Sequence, residues 1–322
     1  CCQRRPSMVK WLLDDTQYHL AYLIATSAAR PGVGMNELVN LLLTPFTYEF
    51  MQRGVLASVV VGVLCAIVGC YVVLRGMAFL GDAVAHAILP GVAVAYLVNG
   101  SLLLGAVVAA IAVALLISVF SSHRQIKEDT AIGIVFAGAL ALGVALMSTI
   151  RSYSTDLTHI LFGNVLGVSQ SDLWLTGILA ALVLMVVLLL YKELLVVTFD
   201  PVFAALLRLP VNLLRNLLLV LMAVTVVVSL QTVGVGLVAA MLVTPAATAH
   251  LVTRRLPSMM ALAAAIGAAS GLAGLYISFY ANVASGAAIV LFCTACFAAV
   301  YLFAPGRGVV WKLSTGWQAS HP

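Results

Sequence analysis

Charged residues are scarce in this chain of 322 residues, because Asp, Glu, Lys and Arg make up only 8% of the sequence. Soluble domains carry about 25% charged residues, and a soluble fold of this length needs a polar surface that this composition does not supply. Hydrophobic residues make up 63% of the chain, and the mean hydropathy is +1.15. The shortage of charge excludes an ordinary soluble domain and predicts an integral membrane protein.

Sequence motifs that would indicate an enzyme are also missing. No glycine-rich phosphate loop ending in Gly-Lys-Ser or Gly-Lys-Thr occurs, so we do not expect the chain to bind ATP in the usual way. No His-Glu-x-x-His zinc-protease motif occurs, and no convincing serine partner accompanies the ionisable residues at membrane depth. We therefore predict that the chain is not an enzyme and holds no tightly bound cofactor.

The net charge of +5 does not indicate nucleic-acid binding. Lys and Arg are scattered among predicted loops, without a basic run interleaved with aromatics, as expected where basic residues mark cytoplasmic loops. Cys293 and Cys296 lie three residues apart in an apolar run, where they either ligate a soft metal or pack as small hydrophobic residues.

Apolar runs of roughly 18 residues or more recur along the chain, and each can cross about 30 Å of hydrocarbon. They predict an all-α, polytopic helical bundle of about eight or nine spans, at 54–74, 77–98, 101–120, 130–150, 172–191, 212–230, 234–252, 257–279 and 283–303. The number of spans is eight or nine, because 234–252 also fits a broken or re-entrant segment. We predict a poorly defined leader at 1–34, a transmembrane domain at 35–306 and a cytoplasmic tail at 307–322.

Basic residues predict which ends of the spans face the cytoplasm. They follow the third, fifth, seventh and ninth spans, for example at Lys127, Arg208, Arg254 and Lys312. Because these loops alternate regularly, the positive-inside bias assigns all four to the cytoplasm, and Arg75 joins them if the second span begins inside.

Asp82 and His86 are the ionisable pair most indicative of function. They lie four residues apart near the start of the second span, which places them on one helix face, about 6 Å apart at their side-chain origins. A carboxylate and an imidazole at this spacing can reach one cation, and such donors suit divalent Mn, Zn or Fe. A mutual hydrogen bond that pins two helices together is the alternative. Metal coordination also needs donors from another helix or from a second copy of the chain.

Two further segments carry polar or proline residues at informative places. Segment 199–211 is too polar and interrupted to span, and its two prolines bracket a short Ala- and Leu-rich helix that can seat in a groove on a soluble partner. An ordinary amphipathic interfacial turn is the alternative. Pro245 predicts a kink in the seventh span. His250, near the cytoplasmic end of that span, either lines the path as a further metal ligand or lies at the interface beside Arg254.

Four segments resemble the permeases of the zinc, manganese and iron ABC importers. Segment 72–91 resembles the family signature, which has an arginine and a methionine, then Gly-Asp-Ala, then Ser-His-Ala and Leu-Pro-Gly. Segments 161–166, 199–211 and 241–250 are similar to three further family motifs in the same order. This chain has Ala85 where Ser is common, Gly76 where a second Arg is common, and Arg208 where Gly is common. The first two changes remove no candidate ligand.

The resemblance implies a homodimer in the plasma or inner membrane of a bacterium, with the translocation path at the dimer interface. It also implies a separate cytoplasmic ABC ATPase for each copy and an extracytoplasmic protein that delivers the metal. Asp82, His86 and His250 are then the candidate metal ligands. The candidate contacts to the ATPase are Asp200, Pro201, Phe203, Ala204, Leu207, Leu209 and Pro210.

Other classes of protein remain open from the residues alone. A stand-alone secondary transporter or channel would use Asp82 and His86 to relay protons, and a scaffolding membrane protein would transport nothing. A permease for a large metal chelate would need a wide apolar or aromatic cavity rather than a compact ligand pair. We favour the permease of an ABC importer for manganese or zinc, and iron fits the same donors.

Overall fold

The computed structural model describes residues 44–121, 127–149 and 165–304. These ranges fold into twelve α-helices and two short 3-10 turns, Thr44–Thr47 and Val165–Gly167. The helices are α1 Glu49–Arg75, α2 Leu80–Ala87, α3 Leu89–Leu97, α4 Leu102–Ser121, α5 Glu128–Ser148, α6 Gln170–Leu189, α7 Tyr191–Phe199, α8 Pro201–Leu206, α9 Val211–Val233, α10 Val235–Val252, α11 Leu256–Ala281 and α12 Ser285–Phe303. The predicted leader 1–34, the tail 307–322 and most of segment 161–166 lie outside the described residues.

The predicted all-helical membrane bundle is confirmed. Among the described residues, eight helical stretches are long and apolar enough to cross a membrane. One of them, Leu80–Leu97, combines α2 and α3. The ninth candidate is α10, whose apolar part, Gly236–Val252, is shorter than the other eight. Pro245 lies inside α10, and the helix continues through it.

The second predicted span differs in detail from the sequence prediction. A single span over 77–98 was expected, whereas the structure ends α2 at Ala87 and begins α3 at Leu89. Pro90 is the physical reason, because proline has no N–H to donate to the carbonyl four residues earlier and its ring crowds that turn. Pro90 therefore takes a place in the first turn of α3, where a missing N–H costs little.

Helix α1 is the centre of the bundle and packs against α6, α9, α10 and α11. Its small residues allow backbones to approach closely, as in other membrane helix pairs. A Cβ atom added at Gly62 would lie 2.7 Å from the carbonyl oxygen of Gly267 on α11. At Gly69 it would lie 1.8 Å from the carbonyl oxygen of Leu242 on α10. Neither position accommodates a side chain without moving a helix.

Several segments assigned to the cytoplasm meet at one end of the bundle. The guanidinium group of Arg215 at the start of α9 donates to the carbonyl oxygen of Ser118 near the end of α4, at 3.4 Å. Leu74 near the end of α1, Phe199 of α7 and Arg254 line one cavity. The loops that carry these basic residues therefore lie at a common end, as the alternation of basic loops predicts.

Replacing Gly69 by Ala tests the contact between α1 and α10. We expect Gly69→Ala to lower the free energy of unfolding by about 1–3 kcal/mol, because the new methyl group overlaps a backbone carbonyl that cannot rotate away. Thermal unfolding of the purified protein in detergent measures the change. Gly177→Ala on α6 is the control, since a Cβ atom there meets nothing within 4 Å. Equal melting temperatures for the two variants would contradict the close contact.

Candidate functional site

The turn between α1 and α2 places the candidate metal ligands. Helix α1 ends at Arg75, and Gly76 follows in the left-handed region with φ 71°. The N–H of Met77 donates to the carbonyl of Val72, and the N–H of Gly76 donates to that of Val73, at 3.0 and 3.1 Å. These two bonds form a Schellman motif, which ends a helix sharply. The chain then reverses direction, and Asp82 falls in the first turn of α2.

Asp82 and His86 are brought together on α2 as the spacing predicts. His86 Nε2 lies 3.7 Å from Asp82 Oδ1, which is longer than the 2.7–3.2 Å typical of an N–H···O hydrogen bond. Two atoms that each bind one ion at ~2.1 Å lie roughly 3–3.4 Å apart, depending on the coordination geometry. A small side-chain rotation therefore brings both donors to one cation. A similar rotation also allows a mutual hydrogen bond between Asp82 and His86, which is the alternative that the sequence offers.

An aromatic side chain of another helix borders the pair. The ring centroid of Phe136 on α5 lies 6.2 Å from that of His86 and 6.1 Å from that of Phe79. The second contact is edge-to-face, an arrangement that aromatic pairs favour. Sequence reasoning did not identify Phe136, because nothing in the local pattern of α5 indicates which ring lies opposite α2. The apolar ring restricts the His86 imidazole on one side and leaves the carboxylate side open.

The opposite side of the pair is accessible in a single copy of the chain. The side chains of His86 and Asp82 are 30% and 37% exposed, although they lie in an apolar span. Phe79 lies on the same face and is also exposed. Ionisable groups at membrane depth usually face a pore, a cavity or a partner, because exposure to hydrocarbon is costly. This face is therefore a surface that needs a polar path or a second protein.

A third metal donor does not join the pair within the described part of the chain. No group of three or more His, Cys, Asp or Glu side chains with metal-binding geometry occurs there. His250, the third predicted ligand, is instead exposed at the end of α10 and lines a cavity with Arg254 and Arg255. Two protein donors hold a divalent ion weakly, because such sites use four or more ligands.

The predicted coupling segment contains a short helix with a defined start. Asp200 precedes α8, and its Oδ1 accepts hydrogen bonds from the N–H groups of Val202 and Phe203 at 3.0 and 2.9 Å. Pro201 occupies the first turn. An N-cap aspartate followed by proline is a favoured beginning for a helix. These two residues therefore fix where the helix starts, as the prolines in the sequence suggested.

The end of α8 has a residue in the left-handed region. Arg208 adopts a left-handed conformation with φ 58°. Its N–H donates to the carbonyl of Ala205 at 3.0 Å, and the N–H of Leu209 donates to that of Ala204 at 3.1 Å. This is again a Schellman motif, in which glycine is preferred at the left-handed position. The motif explains why glycine suits this place, and Arg208 occupies it at a cost in backbone energy.

One face of α8 packs on the bundle and the other is exposed. Ala204 is fully buried, and Leu209 is half-buried against the core. Phe203 and Leu207 are 51% and 52% exposed and lie four residues apart, so they share a face. Pro210 is exposed as well. Contiguous exposed apolar side chains outside the hydrocarbon region mark an interaction surface.

Comparison with known proteins agrees with this architecture. The ABC 3 transport family matches residues 47–304 of the chain. The manganese transport system membrane protein MntC of Halalkalibacterium halodurans is 46% identical over 273 residues, covering 85% of this chain and 94% of that protein. The chelated iron transport system membrane protein YfeD of Yersinia pestis is 41% identical over 257 residues, covering 80% and 86%. The structure of PsaBC from Streptococcus pneumoniae in complex with Fab superposes with a TM-score of 0.75 at 38% identity, covering 86% of this chain and 99% of the matched one.

Replacing Arg208 by Gly tests the strained turn that ends α8. We expect Arg208→Gly to stabilise the turn by about 1 kcal/mol, because glycine adopts positive φ without the clash of a Cβ atom. Hydrogen exchange of the Leu209 amide should then slow about fivefold. Arg208→Ala is the control, since it removes the charge and keeps the Cβ atom, and its exchange rate should match wild type. Equal slowing in both variants would assign the effect to charge.

Proposed function

The chain belongs to the ABC 3 transport family, and from that premise we propose that it carries a manganese or iron ion across the membrane. It is the membrane permease of an ABC importer, and ATP hydrolysis occurs in a separate subunit. Membership of this family argues against the alternative that the chain is a stand-alone secondary transporter. Two of its relatives are named for transport of manganese and of chelated iron. A site with one oxygen and one nitrogen donor suits both ions in the divalent state.

The observation that carries the proposal is the half-exposed Asp82–His86 pair inside an apolar span. A permease needs donors that replace part of the hydration shell of the ion without holding it so tightly that release fails. One carboxylate and one imidazole meet this requirement as a weak, transient site. His250 is not included, because it lies beside two arginines in a separate cavity, where a cation would be repelled.

A second copy of the chain supplies the donors that one copy lacks. Two-fold symmetry places the same patch of each copy at the interface. If Asp82 and His86 lie near the axis, two copies provide two carboxylates and two imidazoles, which completes a four-coordinate site. The exposure of Phe79, Asp82 and His86 on one face supports this arrangement. In a homodimer, the metal path then runs between the copies.

Helix α8 is proposed as the contact that receives motion from the ATPase. Its exposed side chains Phe203 and Leu207 seat in the ATPase, while buried Ala204 transmits displacement to the bundle. Helix α7 precedes α8 and packs against α1 and α9. Because α1 leads directly into α2, movement of α8 reaches the metal pair through packed helices. An extracytoplasmic metal-binding protein delivers the ion at the opposite end.

Removing either donor tests the metal path. In a bacterial strain without its own manganese and iron importers, we expect Asp82→Ala and His86→Ala each to lower the accumulated ion about tenfold or more, because a weak site loses one of its two donors per copy. Elemental mass spectrometry of washed cells identifies the ion and measures the loss, at equal membrane abundance.

The matched control for this test is another acidic–basic pair at the same spacing. Glu49 and Arg53 form an i,i+4 ion pair with 2.8 Å between Oε2 and Nη2 at the other end of α1. Glu49→Gln should leave accumulation unchanged. Unchanged metal content in Asp82→Ala and His86→Ala cells would reduce the pair to a helix contact and remove it from the path.

Truncating the exposed face of α8 tests the ATPase contact. We expect Phe203→Ala combined with Leu207→Ala to weaken association with the ATPase about tenfold, since apolar anchors dominate interface energies. Co-purification of the ATPase with the tagged permease gives the readout. Leu302→Ala, which truncates an exposed apolar side chain on α12, is the control. Full retention of the ATPase by the double variant would place the contact elsewhere.

A further inference from the structure

Two neighbouring cavities flank the first turns of α11 at the end of the bundle assigned to the cytoplasm. One has a volume of about 230 Å³, and its walls include His250, Arg254 and Arg255 together with Leu74, Phe199 and Met259. The other is an apolar groove of about 450 Å³, whose walls include Ile67, Leu188, Tyr191, Met260, Ala261 and Ala264. Neither has a role in the metal path described above.

The smaller cavity is suited to an anion. Arg254 and Arg255 are exposed at its edge, and guanidinium groups bind phosphate oxygens through paired N–H donors. The N–H groups in the first turn of α11 add a partial positive charge, because the N-cap residue Arg255 provides no side chain to accept their hydrogen bonds. No Asp or Glu is among the residues that line either cavity in the described part of the chain.

The apolar groove begins at the level of the basic cavity, at Pro257, and extends deeper into the membrane. On α1, Ile67 of the groove precedes Leu74 of the cavity by two helical turns, which corresponds to roughly 10 Å along the axis. On α11, Ala264 of the groove lies beyond Met259 of the cavity by roughly 7 Å in the same direction. Both helices therefore show the groove extending from the level of the arginines toward the middle of the bilayer.

We propose that the two cavities together bind one anionic phospholipid of the cytoplasmic leaflet. Its phosphate contacts Arg254 and Arg255, and one acyl chain lies along Ile67, Ala261 and Ala264. The positive charge of the two arginines selects an anionic head group, and the depth of the groove matches the position of an acyl chain. Free phosphate satisfies the arginines equally well, but it has no group to occupy the apolar groove.

The position of Phe199 gives this lipid a consequence for the transporter. Phe199 lines the basic cavity and directly precedes Asp200, the N-cap of α8. A bound head group therefore contacts the side chain next to the predicted ATPase contact. Lipid occupancy stabilises the arrangement of α7 and α8, so the composition of the inner leaflet sets how readily α8 moves.

Lipid titration of the purified full-length permease with its ATPase tests the site. Native mass spectrometry in detergent counts phosphatidylglycerol bound per chain, with phosphatidylcholine of the same acyl chains and inorganic phosphate as the other two probes. We expect phosphatidylglycerol to bind selectively, and Arg254→Gln and Arg255→Gln each to weaken its binding about fivefold, as for ~1 kcal/mol per basic residue. Ala261→Phe, which fills the groove, should weaken it as well.

Two matched controls and three contrary outcomes complete the design. Lys127→Gln removes an exposed basic residue of the same membrane face, and Ala295→Phe enlarges an exposed residue of α12; both should bind like wild type. Displacement of phosphatidylglycerol by inorganic phosphate, with no effect of Ala261→Phe, would assign the cavity to free phosphate and overturn the lipid site. If the arginine variants lose the ATPase but keep their lipid affinity, the basic cavity belongs to the ATPase contact and the lipid site is overturned. Equal binding by all variants would mean annular lipid only. None of these readouts depends on transport, so failure here leaves the metal path untouched.

Discussion

The arrangement of the whole bundle depends on how closely α10 approaches α1. At Gly69 the carbonyl oxygen of Leu242 occupies the space where a side chain would begin. The side chain of Leu242 also lies against Gly81 on α2, where an added Cβ atom would be 2.8 Å from it. A single residue of α10 thus contacts both α1 and α2. Because Asp82 follows Gly81 directly, this packing positions the backbone of Asp82, while its side chain can still rotate.

Dense packing of this kind is what association of helices in a membrane requires. Lipid chains are as apolar as leucine, so burial of apolar area gives little advantage and close van der Waals contact must provide the stability. Small residues allow that contact, and they also make the bundle sensitive to helix shifts of a fraction of an ångström. Packed interfaces change between discrete arrangements rather than deforming gradually. The same glycines therefore favour a transporter that alternates between states.

Much of this architecture was predictable from the sequence, because membrane spans depend on local composition. The apolar runs indicated the helices, the i,i+4 spacing placed Asp82 and His86 on one face, and the two prolines of segment 199–211 indicated the short helix α8. The interruption at Pro90 was also visible as a residue, although its effect depends on whether neighbouring helices tolerate a break. These features are local, so periodicity and capping chemistry are sufficient to identify them.

Features that depend on contacts between distant segments were not predictable. The ring of Phe136 meets His86 only because α5 packs on α2, and no pattern within α5 encodes that partner. For His250 the sequence offered two positions, and only the packing at the end of α10 distinguishes between them, with His250 lining a cavity beside Arg254 and Arg255. The left-handed turn at Arg208 was unexpected because arginine rarely adopts it. Similar motifs indicated glycine there, and the backbone explains the preference.

The open face of α2 also bears on how the protein is assembled in the membrane. A newly inserted copy that has not met a second one leaves Asp82 facing its surroundings, and because Asp82 lies in the first turn of α2, the cost of inserting its carboxylate is below the roughly 2.5–3.5 kcal/mol of a charge at the helix centre. In the homodimer proposed above, this carboxylate would face the second copy and the bound ion instead of lipid. If that arrangement holds, the proposed metal ligands also disfavour the solitary subunit, and transport chemistry and subunit stoichiometry are then under the same physical constraint.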